Sequence, residues 1–267
     1  MQAPKRTRRS SLAGTVAILT DIGTPFGCAI ARRLATETVA LTLGGVGSEV
    51  ARALAEVQRV RTLSRIEQAP LAILADPATD EGAAEILDAA LSAHGRVESV
   101  IHAVQPAQGQ PCIALDPLLA MLRRATTAMK RQQEGRILLA LDLCSEEQVG
   151  LFPAARARIA EAFETLIQLA AYRHYGSELR INGLIVDRDY QSADGALALA
   201  GMSSASSGTG HSSIANAYVA ACGVVSLLAS ASSCGITGQV FRIGASPPRP
   251  VFGSDIAAFL DTSLRLP

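Results

Sequence analysis

The amino-acid sequence predicts an α/β fold, a doubly wound seven-stranded parallel sheet with helices on both faces. Three observations lead there. Apolar runs of strand length alternate with helical patterns along most of the 267 residues. The strand runs are continuously apolar, as expected when helices cover both faces of a parallel sheet. Hydrophobic residues make up 49% of the chain and mean hydropathy is +0.26, enough to bury a large core and leave subunit interfaces.

The elements follow in order. Ala13 to Thr20 is a β-rich run, and Phe26 to Thr36 carries helical periodicity through Ile30, Ala31 and Leu34. Val39 to Leu43 is the second strand and Glu49 to Val57 the second helix. Pro70 to Ala75 is the third strand, followed by a helix from about Asp80 to Ser92. Ser99 to Val104 is the fourth strand and Pro117 to Gln132 a long helix. Ile137 to Leu141 is the fifth strand, with Pro153 to Tyr175 the longest helix. Leu179 to Val186 is the sixth strand, and a helix from about Ser213 to Ala229 precedes the seventh, Gly238 to Ile243. Ligands of such sheets sit at the carboxyl ends of the strands.

One domain over residues 12–245 is expected, between a disordered basic tail at 1–11 and an extension at 246–267. In that extension Ser254 with Asp255 reads as the N-cap of a short helix through Leu260. The stretch 202–213 is small and polar, a lid or a loose loop.

Composition excludes several functions. Charge is balanced at 24 basic and 24 acidic residues, so the total shows no nucleic-acid or acidic-membrane footprint. There is no Trp and there are four Tyr, too few for base-stacking platforms. The lysines are Lys5 and Lys130, which leaves little for a lysine-dependent mechanism. Cys28, Cys112, Cys144, Cys222 and Cys234 are scattered and odd in number, which fits a reducing cytoplasm. His94, His102, His174 and His211 lack metal-ligand spacing, so no metal is expected. Arg8-Arg9 is followed by an apolar run too short for an export signal, and no stretch reaches the length of a membrane span.

Thr20 and Gly27 bracket the first strand-to-helix turn, and Asp76 follows the third strand. Gly95-Arg96-Val97 precedes the fourth strand and Gly135-Arg136-Ile137 opens the fifth. Arg180-Ile181-Asn182 lies in the sixth, and Ile236-Thr237-Gly238-Gln239-Val240 begins the seventh. In that order and spacing the chain resembles the short-chain dehydrogenase/reductase superfamily over about residues 12–245, which implies a Rossmann-like fold. The resemblance implies an adenine contact at Asp76.

The chemistry of that superfamily does not carry over. Its T-G-x-x-x-G-x-G fingerprint is matched against Thr20 to Gly27, where Asp21 and Pro25 replace two glycines. Pro25 removes a backbone N–H that a pyrophosphate would use. Asp21 sets a carboxylate near the phosphates, and two unit charges about 4 Å apart cost roughly 4 kcal/mol at an effective dielectric of about 20. That is near three decades of affinity. The second strand ends at Leu43-Gly44-Gly45, with no acid for a ribose and no Arg for a 2′-phosphate. The superfamily's N-N-A-G falls on His102-Ala103-Val104-Gln105 and its P-G on Val186-Asp187. Thr20, Asp21, Pro25, Gly27 and Asp76 are therefore degenerate cofactor positions, and no cofactor is expected on this chain.

The Ser, Tyr and Lys positions fall on Asp142, Ala155 and Ile159, with Arg156 and Arg158 as near neighbours, and no Tyr precedes residue 172. An ionised Asp142 would repel developing negative charge and so does not replace the Ser as an oxyanion donor; a solvated or hydrogen-bonded carboxylate is expected there in preference to a new acid or base. Asp21 is expected to cap the helix beginning near Pro25 or to pair with an arginine. Cys144 has no His assigned beside it, which argues against a nucleophile. His102 is expected as a hydrogen-bonded core histidine, and His211 is the histidine to test for ligand contact. Arg156 and Arg158 either grip an anionic substrate such as an acyl-CoA or face solvent or a partner.

Sheet-building residues are kept and reacting groups are lost. The resemblance then implies a non-catalytic subunit that assembles with an active paralogue holding NAD, in a hetero-oligomeric alcohol or hydroxyacyl-CoA dehydrogenase. This is similar to the partner-subunit arrangement of the benzylsuccinate-pathway enzyme of anaerobic toluene degradation. Contact is expected through helices 113–132 and 153–175 and the last strand, giving a cytoplasmic heterotetramer. The alternatives are an NAD(P)-dependent oxidoreductase with an atypical site and a small-molecule sensor.

Overall fold

The structure, a computed structural model, describes residues 12–105, 116–144, 153–187 and 210–244. The expected tail, the stretch 202–209, the C-terminal helix and Cys112 lie outside the described residues.

Seven strands form one parallel sheet in the order β3-β2-β1-β4-β5-β6-β7. They are β1 (Val16–Thr20), β2 (Ala40–Gly45), β3 (Leu71–Leu74), β4 (Ser99–Val104), β5 (Gly135–Asp142), β6 (Leu179–Asp187) and β7 (Val240–Gly244). Between them run α1 (Pro25–Ala35), α2 (Gly47–Leu63), α3 (Asp80–His94), α4 (Asp116–Gln132), α5 (Pro153–Arg173) and α6 (Gly210–Ala229). The fold class read from the apolar runs is the one observed.

Two cores sit on the two faces of the sheet. Ala17 and Leu19 of β1 enter the core under α1, α2 and α6. Val16 and Ile18 enter the core under α3, α4 and α5. This period of two explains why β1, β2 and β4 are buried at every residue. The edge strands β3 and β7 are only partly covered.

Local chemistry sets the helix ends. Thr24 caps α1 by accepting the Gly27 N–H at 2.9 Å, with Pro25 in the first turn. Thr79 caps α3 in the same way on Gly82, and Gly95 ends α3 at φ 76°.

Helix α2 runs to Leu63, six residues past the expected end at Val57. Arg61 causes the difference. Its guanidinium turns inward and donates to the carbonyls of Val39, at 2.7 Å, and Gln68, so a charged residue belongs to the buried face. Helix α6 begins at Gly210, three residues before the expected Ser213, and α5 ends at Arg173, two before the expected Tyr175.

Candidate functional site

The chain reverses direction across the sheet between β1 and β4, where doubly wound sheets hold their ligands. A cleft of about 200 Å³ opens there, at the carboxyl ends of β1 to β4. Asp21, Glu49, Asp76, His102 and Gln105 supply its polar lining.

Asp21 ends β1 in the left-handed region at φ 59°. Its carboxyl is pushed up to about 6, first by burial and then by the charges of Glu49 and, more weakly, Asp76. A backbone hydrogen bond from Gln105 works in the opposite direction. Asp21 therefore does not cap α1, contrary to expectation, and no arginine stands among the groups that shift it. Thr24 makes the cap because its hydroxyl sits three residues before the free Gly27 N–H.

Glu49, in the first turn of α2, was not singled out from the sequence. Its carboxylate lies against Gly23: a Cβ added there would meet Glu49 Oε2 at 1.7 Å. The missing side chain at residue 23 makes room for an acid beside the start of α1. A helix N-terminus attracts anions, and in this turn the anion is the protein's own. Gly27 is held by close approach, since a Cβ there would meet the Asp21 carbonyl at 2.4 Å. Asp76 is exposed and its Oδ1 accepts the Ala78 N–H at 2.9 Å, an Asx turn. His102 is buried, as expected of a core histidine, and its Nδ1 lies 2.6 Å from Thr20 Oγ1. It also borders the cleft.

Three carboxylates, Asp21, Glu49 and Asp76, line this cleft, Pro25 offers no N–H at the turn before α1, and Val46 rather than an acid or arginine follows β2.

The ends of β5 and β6 hold a second constellation. Asp142 is 1% exposed and Tyr218 of α6 is 9% exposed. Asp142 accepts from the Cys144 N–H at 2.9 Å through Oδ1 and from the Tyr218 hydroxyl at 2.8 Å through Oδ2. Burial raises the pKa of both, and for Tyr218 the charge of Asp142 raises it further. The Tyr218 ring stacks on Phe26, centroids 5.3 Å apart. Asp142 is thus a buried, hydrogen-bonded carboxylate and not a solvated one.

Arg156, in α5, donates to the Leu143 carbonyl at 3.0 Å and forms an ion pair with Asp187 at the end of β6. Neighbouring Ile159 is core. The reading of Arg156 as a grip for an anionic substrate is corrected here, because its guanidinium ties two strand ends together. Arg158 is exposed and Ala155 half-buried. Cys144 is buried. The backbone of His211 lies in the first turn of α6, and its side chain is outside the described residues.

Among the described residues no cluster of three or more His, Cys, Asp or Glu could hold a metal. None of their helices is long and apolar enough to cross a membrane.

No protein-family model matches the chain. No curated protein matches it either. Solved structures do match. A short-chain type dehydrogenase/reductase from Mycobacterium marinum is 16% identical at TM-score 0.66, covering 88% of this chain and 95% of that one. A hydroxysteroid dehydrogenase from Escherichia coli is 14% identical at TM-score 0.64, covering 88% of this chain and 98% of that one. A 7α-hydroxysteroid dehydrogenase complexed with NADH is 14% identical at TM-score 0.65, covering 91% and 98%. The chain has the fold of short-chain dehydrogenases/reductases. At such identity the likeness speaks for the fold.

Proposed function

We propose that this chain is a non-catalytic subunit with a short-chain dehydrogenase/reductase fold. It works in the cytoplasm beside an active paralogue that holds NAD and oxidises an alcohol or hydroxyacyl-CoA. One observation carries the reading. Where a Tyr and a Lys would act on a carbonyl stand Ala155, which has no proton to give, and Ile159, packed in the core, with the intervening Arg156 tied to Leu143 and Asp187. The carboxylates at the turn before α1 add support, since Asp21 and Glu49 repel a pyrophosphate. Assembly through the outer faces of α4 and α5 and through the edge strand β7 leaves both of this chain's own cores intact.

An oxidoreductase acting through an unconventional donor would draw on Tyr218. Its hydroxyl is buried, points to Asp142 and has its pKa raised, all of which oppose proton donation to a substrate.

Calorimetric titration of the full chain with NADH and with NADPH tests the reading. No heat up to millimolar cofactor is expected, and micromolar binding of either would overturn it. The outcome for Asp21→Asn with Glu49→Gln adds detail: removing both charges strengthens whatever weak binding exists.

A further inference from the structure

We infer that residues 251–266 of this chain fold back over the outer face of α6, their apolar side chains seated between Val219 and Leu227. The inference adds to the partner-subunit reading and does not rest on it.

Helix α6 holds no Asp, Glu, Lys or Arg. Its described exposed positions are Ala215, Asn216, Val219, Ala220, Gly223 and Leu227. From Asn216 onward they recur at helical spacing and make one uncharged face. Val219 is 74% exposed and Leu227 45%. Gly223 stands between them, and a Cβ added there would meet nothing within 4 Å. Nothing among the described residues therefore calls for glycine at this point in the helix, where it is about 1 kcal/mol worse than alanine. A glycine suits close approach by another backbone.

This face lies beside the strand from which the segment leaves. Helix α6 packs on β7. Phe241 and Ile243 of β7 pack against the core under α1, α2 and α6, yet both are only half-buried. Gly244 ends β7 and leads into residues 245–267.

The segment has the matching chemistry. Ile256, Phe259, Leu260 and Leu264 recur at helical spacing behind the Ser254-Asp255 N-cap, and Asp261 and Arg265 fall off that face. A helix over 255–264 is about 15 Å long, and Val219 to Leu227 spans about 12 Å on the same measure. Ala245 to Pro250 includes Pro247, Pro248 and Pro250, a composition that favours extension at roughly 3.1 Å per residue, about 19 Å in all. That exceeds the roughly 10–12 Å width of a helix, enough to pass from the sheet to the outside of α6.

The tether decides the occupant. A segment joined through a short spacer acts at an effective concentration of about millimolar, which a second copy matches only at comparable protein concentrations. An uncharged face offers nothing to a polyanion.

The test places a photo-crosslinking residue at position 219 of the full-length chain and mixes an isotope-labelled batch with an unlabelled one. Peptide mapping is expected to find position 219 joined to residues within 251–266. The joined pairs are expected to be wholly labelled or wholly unlabelled, at a yield independent of protein concentration. Phe259→Ser with Leu260→Ser, which changes none of the described residues, is expected to cut that yield about tenfold or more, since two large apolar side chains leave the contact. If the chain carrying the crosslinker at 219 does not fold, the crosslinker moves to position 227. No product within 251–266 overturns the inference, as does a yield unmoved by the double substitution. Pairs of mixed label overturn it too, because they put a second copy on the face. Cofactor binding tests the non-catalytic reading separately and leaves this result untouched.

Discussion

The Tyr218 hydroxyl donates a 2.8 Å hydrogen bond to Oδ2 of Asp142, joining residues 76 apart in sequence at the end of β5. The phenol arrives from α6, a helix with no charged residue. It ties that helix to the sheet through a polar contact inside an apolar layer.

Tyr218→Phe leaves the buried Asp142 carboxylate with fewer donors while the ring still stacks on Phe26. A loss of about 1–3 kcal/mol is expected in urea unfolding, the usual cost of a buried acceptor left wanting. Asp142→Asn keeps an acceptor without the charge. It is expected to cost less than Tyr218→Phe, and the double variant to be non-additive, because one contact is being removed twice.

Asp21 makes stability depend on pH. Its folded pKa of about 6 lies above the ordinary 3.8, chiefly through burial and then Glu49, so the fold disfavours the ionised form. That part of the stability is fully present below about pH 4 and is lost as pH rises through 6. Roughly two units at about 1.4 kcal/mol each give at most about 3 kcal/mol. Asp21→Asn removes the penalty, and Asn tolerates the left-handed φ. The variant is therefore expected to exceed wild type in stability at pH 7.5 and to match it near pH 3.5. Thermal melts at both values check this, and no difference at the higher one overturns the account.

Arg156→Met removes the guanidinium paired with the Asp187 carboxylate, largely buried at the end of β6. Breaking one side of such a pair typically costs about 3–5 kcal/mol. Adding Asp187→Leu is expected to recover most of the loss, and guanidinium unfolding of the two variants makes the comparison.

Arg61→Met removes the donors to the Val39 and Gln68 carbonyls. A loss of about 2–4 kcal/mol is expected. Hydrogen exchange should rise first in the turn after α2, where Gln68 lies.

The sheet was readable because its central strands, buried on both faces, are apolar runs between helices. Arg61 was not readable as buried, since its charge breaks the pattern and its acceptors are backbone carbonyls, which leave no mark in sequence. The loss of reacting groups was readable by counting from Gly135-Arg136-Ile137, and the count fell next to Arg156. Two other contacts were hidden. Glu49 reaches Gly23 across 26 residues, and an acid in a first helical turn looks like ordinary capping chemistry. Tyr218 carried a faint signal, as the lone tyrosine in a charge-free helix needing a partner for its hydroxyl. The cap was open to reading as well: Thr24 stands three residues before Gly27, the usual spacing, and Asp21 drew attention because it stood in a glycine's place.

The placement of β1 has a consequence during synthesis. On one side β1 pairs with β2, soon after it in the chain, and on the other with β4. The Val16 N–H is held by the Glu98 carboxylate, 82 residues later. At about 5–20 residues per second a ribosome needs roughly 4–16 s to deliver that neighbour. Until then β1, and later the β1–β2–β3 half it joins, exposes an unpaired strand edge, the kind of edge on which chains associate wrongly. Mistakes in producing this protein should therefore concentrate before β4 emerges, and slower translation across α3 would lengthen the interval.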